Sequence, residues 1–125
     1  MSDINESLYF YKANIERVID GDTIEGIVDL GFKTTQHQRF RLLGVDTPER
    51  GQENYKEAKD FVTKLVLNRT VFIKTEKDDA FGRYLAVVFY TDENGILKNL
   101  NKEIYESDLL KPGSKWNTKI NLIDK

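Results

Sequence analysis

Four short stretches of the sequence crowd charge against turn-forming residues: Asp20-Gly21-Asp22-Thr23, Arg41, Asp46-Thr47-Pro48-Glu49 and Asp79-Ala80-Phe81-Gly82-Arg83. Aspartates are hard oxygen ligands that, with backbone carbonyls and water, suit Ca²⁺ or Mg²⁺. Zinc and copper chemistry has no support, because the chain lacks cysteine and its one histidine, His37, lies outside these stretches. Arginines grip a phosphate through two parallel bonds and stay charged at any working pH. A glutamate between them is a candidate to orient a water or accept its proton. A cation, two guanidiniums and a carboxylate are the parts needed for water to attack a phosphodiester.

Each stretch taken alone has a plainer reading. An Asp-Gly step is a common hairpin turn. Thr47-Pro48 suits a helix start, with the threonine as cap and the proline in the first position, and Glu49 would then complement the helix dipole. Arg83 follows a glycine and reads as a solvated loop charge. Arg41 is harder to set aside, because an arginine inside an apolar strand needs partners.

Acting together requires elements that bring the four stretches to one place. Residues 8–19, LYFYKANIERVI, are rich in aromatic and β-branched types and predict a first strand. The Asp20–Thr23 turn leads into TIEGIVDL, a second strand of alternating character. GFKTTQ makes the next turn, and HQRFRLLGV is the third strand. The period then changes: Tyr55, Ala58, Phe61, Val62, Leu65 and Val66 fall at helical spacing, which predicts a helix from about Asn54 to Leu67 with Asn68 at its C-terminal cap. TVFIKTEK and YLAVVFYTD are strands four and five, with a turn at Glu93-Asn94-Gly95. NLNKEIYES is a weak second helix that Asn99 or Asn101 would cap. Residues 112–125 show little period and are expected to form an irregular tail docking through Trp116 or Ile120. Three strands, a helix and two strands predict a mainly β protein with helices (α+β), a five-stranded OB-fold barrel with a helix between strands 3 and 4.

Composition narrows the class further. With 125 residues and no repeats or linkers, the chain is expected to be one domain. No apolar run is long enough to cross a membrane as a helix. The N-terminus MSDINESLYFYKANIE has no basic segment followed by an apolar one, so the chain as written is expected inside the cell, unless a leader was removed. Net charge is −2, whereas proteins that coat nucleic acid nonspecifically are usually basic. Any phosphate-binding site must therefore carry its own local charges. Tyr9, Phe10 and Tyr11 read either as a stacking face for bases or as strand and core residues, the second being the commoner fate. His37 reads as a surface residue.

The ordered set IDGDT, FRLLGVDTPE and D-x-FGR closely resembles the staphylococcal nuclease family (thermonucleases), from about Ile15 to Leu109. The resemblance implies a barrel with a helix, and a Ca²⁺ held by the side chains of Asp22 and Asp46 and by the backbone carbonyl of Thr47. It implies that Arg41 and Arg83 bind the scissile phosphate and that Glu49 orients or deprotonates the attacking water. Asp20 matches a position that supports the metal site from behind. Family members hydrolyse DNA and RNA with little base specificity and leave 3′-phosphate ends. The expected partner is therefore nucleic acid, single-stranded by preference, acted on by a monomer.

Three departures from the family pattern carry expectations of their own. Only RGQEN separates Glu49 from the helix, where the secreted staphylococcal enzyme has a longer lysine-rich loop, so contact with the rest of the polymer should weaken. Ala80 and Phe81 stand where that enzyme has a lysine and a tyrosine. After the second helix LLKPG follows at once, so the family's C-terminal helix is shortened or absent. The alternatives to a nuclease are a binding module that keeps the barrel with little or no catalysis, and a structural or poorly active relative.

Overall fold

Alternating burial along the strands follows directly from the period-two pattern. The structure, a computed structural model, describes residues 10–78 and 84–112. Strands β1 (Phe10–Asp20), β2 (Thr23–Asp29) and β3 (Thr35–Leu42) form an antiparallel meander. Helix α1 (Tyr55–Val66) follows, then β4 (Thr70–Asp78), β5 (Tyr84–Thr91), a short β6 (Leu97–Asn99) and helix α2 (Leu100–Glu106). β4 returns to pair with β1, and β5 with β4. A parallel pairing of β3 with β5, Phe40 opposite Tyr84 and Leu42 opposite Ala86, closes the five strands into an OB-fold barrel. β6 extends the edge of β5 and was not foreseen, because three residues are too short to show a period.

Inward positions such as Ile15, Ile24, Phe40, Leu42, Ile73 and Val88 fill the barrel. α1 buries Ala58, Val62 and Val66, one residue per turn, as the helical spacing predicts. Asn68 follows the helix in the left-handed region (φ 60°), as its expected capping place requires, and its N–H donates to the Ile15 carbonyl at 2.7 Å. Asn99 caps α2, its side chain accepting from the Lys102 N–H. Among the described residues no helix is long and apolar enough to cross a membrane.

Two features of the meander matter for the site. β1 carries register shifts between Ile15 and Arg17 and between Val18 and Asp20, so two extra residues bend the strand just before the Asp20–Thr23 turn. Gly26 faces this bend, where a Cβ would lie 2.2 Å from the Asn14 carbonyl oxygen, so only glycine permits the approach. β3 stops at Leu42, short of the expected Val45, and the chain turns through Gly44 at φ 79°.

The Thr47-Pro48-Glu49 stretch does not begin the helix. Turns at residues 49–54 intervene, with Gly51 and Asn54 both at positive φ, and α1 starts at Tyr55. Phe10 stacks on Phe72 and Phe89, and Tyr11 packs against the core, so these two aromatics serve the strands. Tyr9, the 79–83 stretch and the tail with Trp116 and Ile120 lie outside the described residues, as does the segment that bears on the family's C-terminal helix.

Candidate active site

Asp22 leaves the β1–β2 turn with its carboxylate buried and each oxygen holding one hydrogen bond. Its Oδ1 accepts from the Thr23 hydroxyl and its Oδ2 from the Thr47 N–H, both at 3.0 Å. Desolvation raises its pKa above the ordinary aspartate value, outweighing the opposing pull of Arg41, the Thr47 N–H and Thr23, and the nearby charge of Asp20 adds to the rise. Gly21 permits the close packing of the turn: a Cβ there would sit 2.8 Å from both the Ala58 Cβ and the Thr47 Oγ1. The turn is thus wedged between α1 and the loop that bears Asp46 and Thr47.

Arg41 stands opposite Thr23 on β3, so the strand pairing itself delivers its guanidinium to Asp22. Its Nη1 donates to the Val45 carbonyl at 2.6 Å and the Leu42 carbonyl at 3.2 Å, and lies 3.5 Å from Asp22 Oδ2. Its Nη2 donates to Asp46 Oδ1 at 3.3 Å. The side chain is only 12% exposed, so the half-buried arginine has the partners that its strand position demanded. Among the described residues nothing accepts from its Nε–H. The Nε–Nη2 edge therefore has donor capacity left for an anion.

Glu49 is not part of this knot. Its side chain is 74% exposed, Lys111 Nζ lies 3.6 Å from its Oε1, and its N–H donates to Gln52 Oε1. Asp20 ends β1 beside the Tyr55 hydroxyl, which also points to the Ile19 carbonyl at 3.3 Å. Burial and the Asp20 carboxylate together hold the Tyr55 phenol above its usual value. Arg83 lies outside the described residues, so its expected place beside Arg41 carries no structural description.

Two residues position the site in ways the sequence reading did not assign. Asn101, wholly buried in α2, does not cap it. Its Nδ2 donates to the Leu43 and Ala86 carbonyls at 2.8 and 2.9 Å, and its Oδ1 accepts from the Val88 N–H. One amide thereby ties α2 and β5 to the first residue of the Asp46 loop. A polar residue between Leu100 and Ile104, on the apolar face of a short helix, was the available signal. Lys111 is the other: its N–H donates to the Asp46 carbonyl at 2.7 Å, which brings the LLKPG segment against the loop. Nothing in its composition pointed there.

The donor set fits a hard cation held weakly. Among the described residues no group of three or more His, Cys, Asp or Glu is arranged to hold a metal. Two carboxylates nevertheless converge on one guanidinium, and the Thr47 Oγ1 beside Asp22 is buried without a hydrogen-bond partner. A cation taking Asp22, Asp46 and the Thr47 carbonyl would draw its other ligands from water and a substrate phosphate.

The profile of the family described as staphylococcal nuclease homologue matches residues 39–121, two-thirds of the chain. The chain belongs to that family. Within it, the thermonuclease of Staphylococcus hyicus is 37% identical over 121 residues, covering 90% of this chain and 60% of that protein. The thermonuclease of Staphylococcus intermedius is 36% identical over 110 residues, covering 82% and 62%. A micrococcal nuclease of Shigella flexneri is 32% identical over 79 residues, covering 63% and 42%. The chain spans about 60% of the length of the two thermonucleases. As a staphylococcal nuclease homologue it brings Asp22, Arg41, Asp46 and Thr47 into one buried cluster from three separate stretches of sequence.

Proposed function

We propose that the chain is a metal-dependent nuclease that hydrolyses DNA and RNA with little sequence preference, with Ca²⁺ as its cation and single strands preferred. The observation that carries this reading is the Asp22–Arg41–Asp46 cluster in a member of this family. Asp22, Asp46 and the Thr47 carbonyl would hold the cation, which when bound neutralises charge developing on the phosphate. Arg41 and Arg83 bind the phosphate oxygens and hold the phosphorus in line for attack. Glu49 accepts the proton from the attacking water as its oxygen bonds to phosphorus. The P–O bond on the 5′ side breaks, and the leaving oxygen takes up a proton, giving a 5′-hydroxyl and a 3′-phosphate.

With two carboxylates and one carbonyl, free protein should bind Ca²⁺ only at about 10⁻⁴ to 10⁻³ M. The functional test is incubation with single-stranded DNA, double-stranded DNA and RNA, in Ca²⁺ or in a chelator, beside Glu49→Gln. Cleavage that needs Ca²⁺ and disappears in the variant supports the reading. A folded protein that cleaves nothing at any Ca²⁺ level sinks it. The second reading is a nucleic-acid-binding module, favoured by the exposure of Glu49 and its pairing with Lys111 rather than with the arginine cluster.

A further inference from the structure

Beyond Arg41, the same face of β3 carries two more basic side chains. Residues two apart on a strand share a face and repeat about every 6.6 Å, so Arg39 and then His37 lead away from Arg41 in a straight row. Their side chains are 48% and 54% exposed, against 12% for Arg41. Across the sheet Glu25 stands opposite Arg39, and Arg17 opposite Glu25. Glu25 is outnumbered. Its Oε1 accepts from Arg39 Nε and Nη2 at 3.1 and 3.0 Å, and His37 Nε2 lies 3.2 Å from its Oε2. Partial burial works to raise the Glu25 carboxyl, but Arg39, His37 and Arg17 outweigh it and hold it below the usual range. The Nη1 donors of Arg39 keep no partner among the described residues.

The row ends at the tip of the β2–β3 hairpin, where Thr34 N–H donates to the Gly31 carbonyl across Phe32 and Lys33. Both central residues sit at positive φ, 55° and 62°, where asparagine and glycine are the usual occupants. Phe32 is fully exposed there, and Lys33 beside it is exposed too. Basic side chains in a row (Arg41, Arg39 and His37, with Lys33 at the tip) beside a bare aromatic ring are the combination that binds single strands without regard to sequence: charges follow the backbone and a ring stacks a base. In a chain of net charge −2, such a line is a local feature rather than a reflection of overall charge.

We propose that the outer face of the β2–β3 hairpin is a track for the single strand flanking the scissile phosphate. Arg39 and His37 take successive phosphates beyond Arg41, and Phe32 stacks a base at the far end. The inference rests on the nuclease reading for its starting point at Arg41. It also adds polymer contact on a chain whose short loop after Glu49 is expected to make less of it. Glu25 holds the Arg39 fork in place and competes with the incoming phosphate.

The test is binding of a labelled single strand of about twelve nucleotides, measured in chelator across a salt series. An Arg39→Gln/His37→Gln double variant should bind about ten-fold more weakly, with the salt slope reduced by about 0.7 for each phosphate no longer neutralised. Phe32→Ser should weaken binding by about five-fold or more. Glu25→Gln should tighten it several-fold, whereas a purely structural Glu25–Arg39 pair would give no tightening. In Ca²⁺, the ratio of kcat/KM on the long strand to that on a two-nucleotide substrate should fall in the double variant in step with binding. Unchanged affinity and slope in the double variant would overturn the track, even if the protein cleaves. Binding through the track without cleavage would leave it standing and remove the nuclease reading.

Discussion

Arg41 and Arg39 stand two residues apart on one strand, and each meets a carboxylate delivered by the neighbouring strand or its turn. Arg41 is roofed by residues 43–47, bonded to two carbonyls and paired with two aspartates. Among the described residues Arg39 pairs with Glu25 alone, and half of its side chain is in solvent. The carboxylates respond in opposite senses: Asp22 is pushed up chiefly by burial, whereas Glu25 is drawn down by surrounding positive charge. The same ion-pair chemistry thus gives a fixed centre where a loop covers it and an open surface where none does. Cover over the guanidinium, 12% exposed at Arg41 against 48% at Arg39, separates the two.

The sharpest way to break this comparison is to remove each arginine in turn. Arg41→Ala should cut turnover on the order of 10²-fold or more and lower stability by about 3–5 kcal/mol, because it removes the cation that two largely covered aspartates and two carbonyls share. Arg39→Ala should change stability by less than about 1 kcal/mol. Urea midpoints read the difference. Equal losses in the two variants would mean that the roof over Arg41 contributes nothing.

Asn101→Ala tests the buried half from outside the cluster. It takes the amide partner from the Leu43 carbonyl and the Val88 N–H, while the Ala86 carbonyl keeps the Leu43 N–H, and should cost about 2–3 kcal/mol, with turnover falling as the Leu43 end of the loop loosens. A destabilised protein with unchanged kcat would show that the clip serves the fold alone. Gly21→Ala forces a methyl against Ala58 and Thr47 and should cost about 1–3 kcal/mol, together with weaker Ca²⁺ binding by calorimetry. Unaltered Ca²⁺ affinity would separate the turn from the site.

The smallest effect belongs to the open half and depends on pH. Glu25 has a folded pKa below its ordinary 4.5, so its contribution is present above 4.5 and is lost as pH falls through the folded value. Glu25→Gln should therefore cost less than about 1 kcal/mol at pH 7, and less again in high salt. Melting curves of the two proteins should converge in acid. A gap that widens with falling pH would reverse the sign assigned to Glu25.

Most of the barrel was legible because period-two and helical spacing are local properties, readable over four to twelve residues. The β1–β2 turn, the α1 face and the Asn99 cap followed from such patterns. The end of β3 was misplaced by three residues: Val45 is apolar because it is buried, and Leu43 gives its N–H to the Ala86 carbonyl of β5 beyond the end of the regular ladder. Thr47-Pro48-Glu49 misled in the opposite way. Its residues suit a helix start, but the Thr47 N–H is committed to Asp22, 25 residues away in sequence.

The sequence by itself supplied the parts of the proposed site, namely aspartates, arginines and a glutamate, in an order specific enough to mark the family. Only the tertiary structure decided which parts meet. It joined Asp22, Arg41, Asp46 and Thr47, left Glu49 at the edge with Lys111, and brought Asn101 in from a distant helix. The physical reason is that an ion pair or a buried amide depends on partners remote in sequence. Spacing along the chain sets which face a side chain lies on. The closure of β3 onto β5 and the loop folded over Arg41 set what that face touches.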